Sequence, residues 1–189
     1  MIRTACLAAV ILLISPVAHA ETKTYAINTQ QSSIGLSWRA FGHNFSQAHL
    51  NGVTGYITLN PSQEWQDHIE VKIPVKTLVA SNALLTYQLK SDLFFDAPHY
   101  PNIAFSSSRV SSLGEGKFQV IGTLSVKDVS RPVILIAKLD NGEIVAPTSN
   151  TMALHASTAI SRTAFRVDRL VGIVDDRVDI ELSIRAQRN

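Results

Sequence analysis

The chain has 189 residues, with 17 Lys and Arg against 15 Asp and Glu, six His and one cysteine. The basic residues are scattered rather than clustered, which argues against nucleic acid as a partner. The lone Cys6 lies in an N-terminal apolar run, so the rest of the chain has no disulfide, no thiolate metal ligand and no thiol nucleophile; it must rely on its core, and it is long enough to have one.

Taken in chain order, residues 1–20 read as a secretory signal peptide. Arg3 supplies a short positive start, Ala5 to Ile14 an apolar stretch too short to span a bilayer, Pro16 a break, and Ala18-His19-Ala20 a small-x-small cleavage site. The mature chain is expected to begin at Glu21, with its formal charge reduced from +2 to +1 by loss of Arg3. An uncleaved anchor is the alternative, disfavoured by the polar stretch Glu21 to Thr24. The bacterial periplasm is the natural compartment for such a chain, and no later stretch is apolar enough for a transmembrane helix.

From there the chain alternates with period two. Ile34, Leu36 and Trp38 open the pattern, and Ile69, Val71, Ile73 and Val75 continue it. Phe118, Val120, Leu124 and Val126 follow, then Val133, Leu135, Ala137 and Leu139. Met152, Leu154, Ala156, Thr158 and Ile160 come next, and Val178, Ile180, Leu182, Ile184 and Ala186 close the series. Side chains two apart share one face of a strand, so each segment predicts a strand with one apolar face. Asn60-Pro61-Ser62, Gly114-Glu115-Gly116, Asp140-Asn141-Gly142 and Asp175-Asp176 separate them as turns. Two segments differ. Ser81 is positioned to cap a short helix through Leu84, Leu85, Gln88 and Leu89, and Ser91 to Pro101 forms an aromatic loop.

With no internal repeat or linker, residues 21–189 read as one all-β domain. Strands in sequence with hairpin-like turns favour an extended, eight-stranded, up-and-down antiparallel barrel; a sandwich is the alternative. An eight-stranded barrel is just wide enough for one slim ligand.

Two segments stand out as candidate sites. Phe94, Phe95, Tyr100 and Phe105 lie close together and either line the mouth of an apolar interior or plug one barrel end. Trp38 to Phe45, with Phe41 and His43, mixes aromatic and polar groups as a ligand headgroup would require, or forms an exposed turn. Arg162 either faces an anionic headgroup or pairs with Asp168 or Glu143. Histidines 43, 49, 68, 99 and 155 show no zinc-helix spacing, so no metal is expected. Neither a Gly-x-Ser-x-Gly elbow, nor a phosphate loop, nor a His-Glu-x-x-His is present, so no catalytic residue and no cofactor is assigned.

Three segments together carry a family resemblance: Ser91-Asp92-Leu93-Phe94-Phe95-Asp96-Ala97-Pro98-His99-Tyr100-Pro101-Asn102-Ile103-Ala104-Phe105; Gly122-Thr123-Leu124-Ser125-Val126-Lys127-Asp128-Val129-Ser130-Arg131-Pro132-Val133; and Ile160-Ser161-Arg162-Thr163-Ala164-Phe165, followed by Val171-Gly172. In that order the chain resembles the YceI-like family of exported polyisoprenoid-binding proteins. It departs at Lys127-Asp128, where the family often has His-Gly, and at Asp92-Leu93, where a Pro-Asp pair often precedes the double Phe.

The resemblance implies a lipocalin-like barrel with a helix near one end, holding a long apolar ligand such as a polyisoprenoid, a quinone tail or another lipid. Trp38, Phe41, Leu85, Leu89 and Phe94 are the expected contacts, with Phe95, Phe105, Leu154 and Phe165; His43 and Arg162 are the headgroup candidates. Such a carrier has transient membrane contact and a homodimer as its expected associations. Burying ten carbons contributes roughly 8 kcal/mol, which corresponds to about micromolar affinity and needs no catalytic motif. A structural or stress-related barrel is the alternative, and an unrecognised hydrolase a more distant one.

Overall fold

The computed structural model describes residues 22–42, 44–60, 62–140 and 150–188. The expected signal peptide, His43 and Glu143 lie outside the described residues.

Among the described residues, eleven strands occupy eight positions around a closed antiparallel barrel. The first three positions are each a strand broken in two. β1 (Lys23–Ile27) and β2 (Ser33–Ala40) run in one direction along the same edge of the last strand, β11 (Arg177–Arg188), with Ile27 opposite Ala186 and Ser33 opposite Ser183. The extra residues between them make a kink. Asn28 accepts from the backbone N–H groups of Gln30 and Gln31, and the buried Ser32 hydroxyl exchanges hydrogen bonds with the Arg185 backbone. β3 (Asn44–Leu50) and β4 (Thr54–Leu59) return beside them. Gly55 lies so close to the next strand that a Cβ would sit 1.9 Å from the Glu70 carbonyl oxygen. β5 (His68–Pro74) and β6 (Val79–Ala80) form the third broken strand, interrupted by a 3-10 turn over Val75–Thr77.

The remaining strands are long and unbroken by loops: β7 (Asn102–Gly114), β8 (Lys117–Val126), β9 (Val129–Leu139), β10 (Thr151–Ser161) and β11. β7 pairs with β5, each later strand pairs with the one before it, and β1 pairs with both β11 and β4 to close the ring. The predicted hairpin at Gly114-Glu115-Gly116 is present; Glu115 and Gly116 both have positive φ, as a type I′ turn requires. The stretch from Thr24 pairs with β4 and β11, not with the strand that follows it.

One helix, α1 (Ala83–Lys90), lies between β6 and β7. Its cap is Asn82, whose side chain accepts from the Leu85 N–H at 2.8 Å, not Ser81 as the sequence suggested. An extended Asn82 backbone lets its oxygen reach back over the first turn. The loop after α1 folds onto its C-terminal carbonyls: Phe95 N–H donates to Leu89, Ala97 N–H to Lys90, and Phe94 and Asp96 N–H to Ser91. These bonds occupy acceptors that a helix end leaves free. They also turn Phe94 and Phe95 toward the barrel axis.

The period-two faces all point inward. In the half of the barrel that holds both ends of the described chain, Tyr25, Ile27, Ile57, Leu139, Met152 and Ala186 form part of one buried cluster, and Val120 is buried in a second with Val110, Ala137 and Ala156. That half is filled. The other half, next to α1, is not.

Candidate functional site

The unfilled half holds a cavity of about 180 Å³. By volume this is room for roughly six waters at their liquid density. Its walls are the inward residues of eight strands: Ile34, Leu36 and Trp38 on β2; Leu50 on β3; Val71 and Ile73 on β5; Ile103 and Phe105 on β7; Leu124 and Val126 on β8; Val133 and Leu135 on β9; Thr158 and Ile160 on β10; Val178, Ile180 and Leu182 on β11. Leu85, Gln88 and Leu89 of α1 and the two rings Phe94 and Phe95 cover it from one side. Phe165, Val167, Leu170 and Val174, from the loop between β10 and β11, cover it from the other.

Among the described residues, three side chains with polar ends border this space besides the Trp38 indole: Gln88, Thr158 and Arg162. The Thr158 hydroxyl donates to the Ile134 carbonyl at 2.7 Å. Arg162 is 6 % exposed. Its guanidinium donates to four backbone carbonyls: Asp175 at 2.9 Å, Val167 at 2.6 Å, Arg169 at 2.8 Å and Val174 at 2.8 Å. No carboxylate among the described residues forms an ion pair with it, and Asp168, the partner weighed from the sequence, does not bond it. Backbone carbonyls replace a carboxylate here because the loop curls around the planar fork and aims its oxygens at the N–H groups. Arg162 therefore ties the 162–176 loop over the cavity.

Gln88 and Leu170 line the cavity and are also exposed to solvent. The opening thus lies between α1 and the loop. Asp176 holds that loop to the end of β10, accepting from the Thr163 N–H at 2.9 Å. Hydrogen bonds from the Ser161 and Thr163 hydroxyls, and then that backbone bond, pull its carboxyl below the usual carboxylate range. The substituted turn Lys127-Asp128 holds the same loop: the Asp128 carboxylate pairs with Arg166, and the Lys127 ammonium donates to the Arg166 carbonyl. Among the described residues, no three His, Cys, Asp or Glu side chains come together to hold a metal ion.

Of the residues expected to contact a ligand, Trp38, Leu85, Leu89, Phe94, Phe95, Phe105 and Phe165 border the cavity. Two do not. Phe41 occupies the β2–β3 turn with φ 54° and is 74 % exposed, because the reversal of the chain throws its side chain out of the barrel. Leu154 points inward but packs in the filled half, against both groups of buried side chains. The sequence reading missed much of the wall, including Leu50, Val71, Ile73, Ile103, Val167 and Gln88. The alternation already marked the inward parity of Val71 and Ile73; what it lacked was depth along the barrel.

A profile of the YceI-like domain matches residues 25–186. The chain belongs to the YceI-like family. A UPF0312 protein of Photorhabdus laumondii is 28% identical over 182 residues, a match spanning 96% of this chain and 94% of that protein. A UPF0312 protein of Vibrio vulnificus is 22% identical over 121 residues, which is 63% of this chain and 64% of its own length. Among solved structures, BcnA of Burkholderia cenocepacia superposes with a TM-score of 0.74 at 21% identity, covering 85% of this chain and 99% of its own. A polyisoprenoid binding domain from Saccharophagus degradans superposes with a TM-score of 0.67 at 10% identity, covering 87% and 98%. These likenesses establish the YceI-like barrel.

Proposed function

We propose that this YceI-like protein carries one long apolar lipid, of the isoprenoid or isoprenoid-quinone class, in the half-barrel beneath α1, and that it does so in the periplasm after removal of residues 1–20. The observation that carries this reading is the cavity itself. Unfilled apolar space costs stability, by about 24 cal/mol for each Å³ left empty in a core. A chain that needs only a stable barrel gains by filling both halves, as it fills one. The polar groups at the wall support a binding role, since Thr158 and Arg162 spend their hydrogen bonds on backbone carbonyls. The name of the Saccharophagus degradans domain agrees with the ligand class.

About 180 Å³ is below the usual 300–1,000 Å³ of small-molecule sites. A long chain therefore needs α1 or the 162–176 loop to move outward as it enters. The headgroup would remain at the opening, where Gln88 stands.

The test uses the two tryptophans. Trp38 lines the cavity, while Trp65 is 79 % exposed near the far end. In a Trp65→Phe variant, titration with a polyprenol should change Trp38 emission with about micromolar affinity. Native mass spectrometry of protein purified from its host should show a co-purified lipid. A protein that neither carries nor takes up any long-chain lipid would leave a purely structural barrel as the better reading.

A further inference from the structure

Of the fourteen large apolar side chains exposed among the described residues, seven stand on four segments at one end of the barrel: α1, the loop behind it, the 162–176 loop and the β2–β3 turn. Leu84 and Tyr87 stand out from α1, one helical turn apart, and Leu93 from the loop behind it. Val171 and Ile173 stand out from the 162–176 loop, and Phe41 from the β2–β3 turn. The last two segments are joined: the Phe41 N–H donates to the Ile173 carbonyl at 2.8 Å, and Ala40 bridges Val174. α1 and this loop are also the two elements that flank the opening, through Leu85 and Leu170. The exposed groups therefore form a rim around the mouth.

We propose that this rim inserts into the surface of a lipid bilayer. Three observations select a bilayer over a protein. The side chains sit on a turn tip, a loop and a helix around an opening, so they project from separate segments. A bilayer deforms around such projections and accepts aromatic and aliphatic groups at its interface. The rim is continuous with the cavity wall at Leu170, which is both lining and 52 % exposed. An apolar chain passing between membrane and cavity would thus stay out of water. The neighbouring charges have both signs, with Arg39, Lys90 and Arg169 beside Asp92, Asp168 and Asp175. Insertion rather than surface charge then drives the contact. The purpose assigned to it rests on the carrier reading, but the rim and its docking do not.

Flotation of lipid-free protein with two vesicle preparations tests the proposal, one of phosphatidylcholine and one of phosphatidylethanolamine with phosphatidylglycerol. The wild type should float with both, and equally in low and high salt. A double variant, Phe41→Asp with Val171→Asp, should lose partitioning by about tenfold or more, because two apolar insertions are lost and charges replace them. Asp tolerates the positive φ at Phe41, so the variant should keep the wild-type thermal transition. Trp65→Asp with Leu113→Asp, at exposed sites toward the far end, is the control and should float as the wild type does.

No flotation of the wild type overturns the proposal. So does equal loss in the control, or flotation that salt abolishes. Sedimentation without vesicles gives a further arm: a rim-dependent dimer that does not float would make a second copy the occupant and overturn it too. Polyprenol binding is read separately by native mass spectrometry. Its absence in a wild type that still floats would remove the carrier reading and leave the docking surface standing.

Discussion

Arg162 shows how a single side chain can organise a loop through backbone carbonyls alone. It holds four carbonyls that would otherwise lack partners at the cavity roof. A buried acceptor without a partner costs about 1–3 kcal/mol, so Arg162→Met should lower stability by at least ~3 kcal/mol, read by denaturant unfolding. Asp176 gives the same loop a pH dependence. Its carboxyl is held down by the Ser161 and Thr163 hydroxyls and the Thr163 N–H, so it favours the folded state when ionised. That contribution is complete above the ordinary carboxylate value of about 3.9 and is lost as pH falls through the depressed folded value. The thermal midpoint should therefore fall on acidification by less in Asp176→Asn than in the wild type. Gly122 is a third such position. A Cβ there would lie 2.5 Å from the Phe105 ring and 2.5 Å from the Ser106 carbonyl oxygen. Gly122→Ala should cost about 1–3 kcal/mol and push Phe105 into the cavity, which weakens ligand uptake.

At the scale of elements, α1 is the piece most open to change. It has eight residues, too few to be stable alone, and depends on its Asn82 cap and on Leu85 and Leu89 packing inward. Asn82→Ala should cost about 1 kcal/mol. Its clearer sign should be faster hydrogen exchange in α1 and faster ligand release, with the strands unaffected. The sequence showed a helix here but chose the wrong cap, since Ser81 and Asn82 are both good capping residues and only the backbone geometry separates them. Strands were more legible than loops for a physical reason. Alternation reports which face of a strand is buried, and every inward face named from it is inward. It carries no information about depth, so Leu154 and Ile160 looked equivalent although only Ile160 reaches the cavity. Nor does it show the kinks that split the first three strands, because Asn28 to Ser32 resembles an ordinary turn until its pairing with Arg185 is seen. Phe41 was misplaced because an aromatic at a strand end gives no sign of its backbone φ.

For the whole molecule, closure depends on the last strand. β11 pairs with β10 along its length, with β2 through Asp179 to Ser183 and with β1 through Ala186 to Arg188. The first and last strands must therefore meet before the barrel is complete, which favours slow folding. Truncation after Ser183 removes every pair between β1 and β11 and two buried side chains, Ile184 and Ala186. Such a chain should show no cooperative unfolding transition, read by near-UV circular dichroism on heating. The expected processing is a property of the full-length chain: intact mass of protein from its host compartment should correspond to a start at Glu21, and a mass that retains Met1 to Ala20 would contradict the export reading.

The packed half of the barrel makes the cavity a blind vessel. Among the described residues, Tyr25, Ile57, Met152 and their neighbours stop it from below, so on the carrier reading a lipid would have one port for both arrival and departure. Val178 and Leu182 bracket its depth along β11, roughly 13 Å of strand. On that reading an incoming lipid could not displace an outgoing one from behind, and the protein would have to empty before it refilled. Delivery between two membranes would then require the whole molecule to leave one, turn, and present the same end to the other.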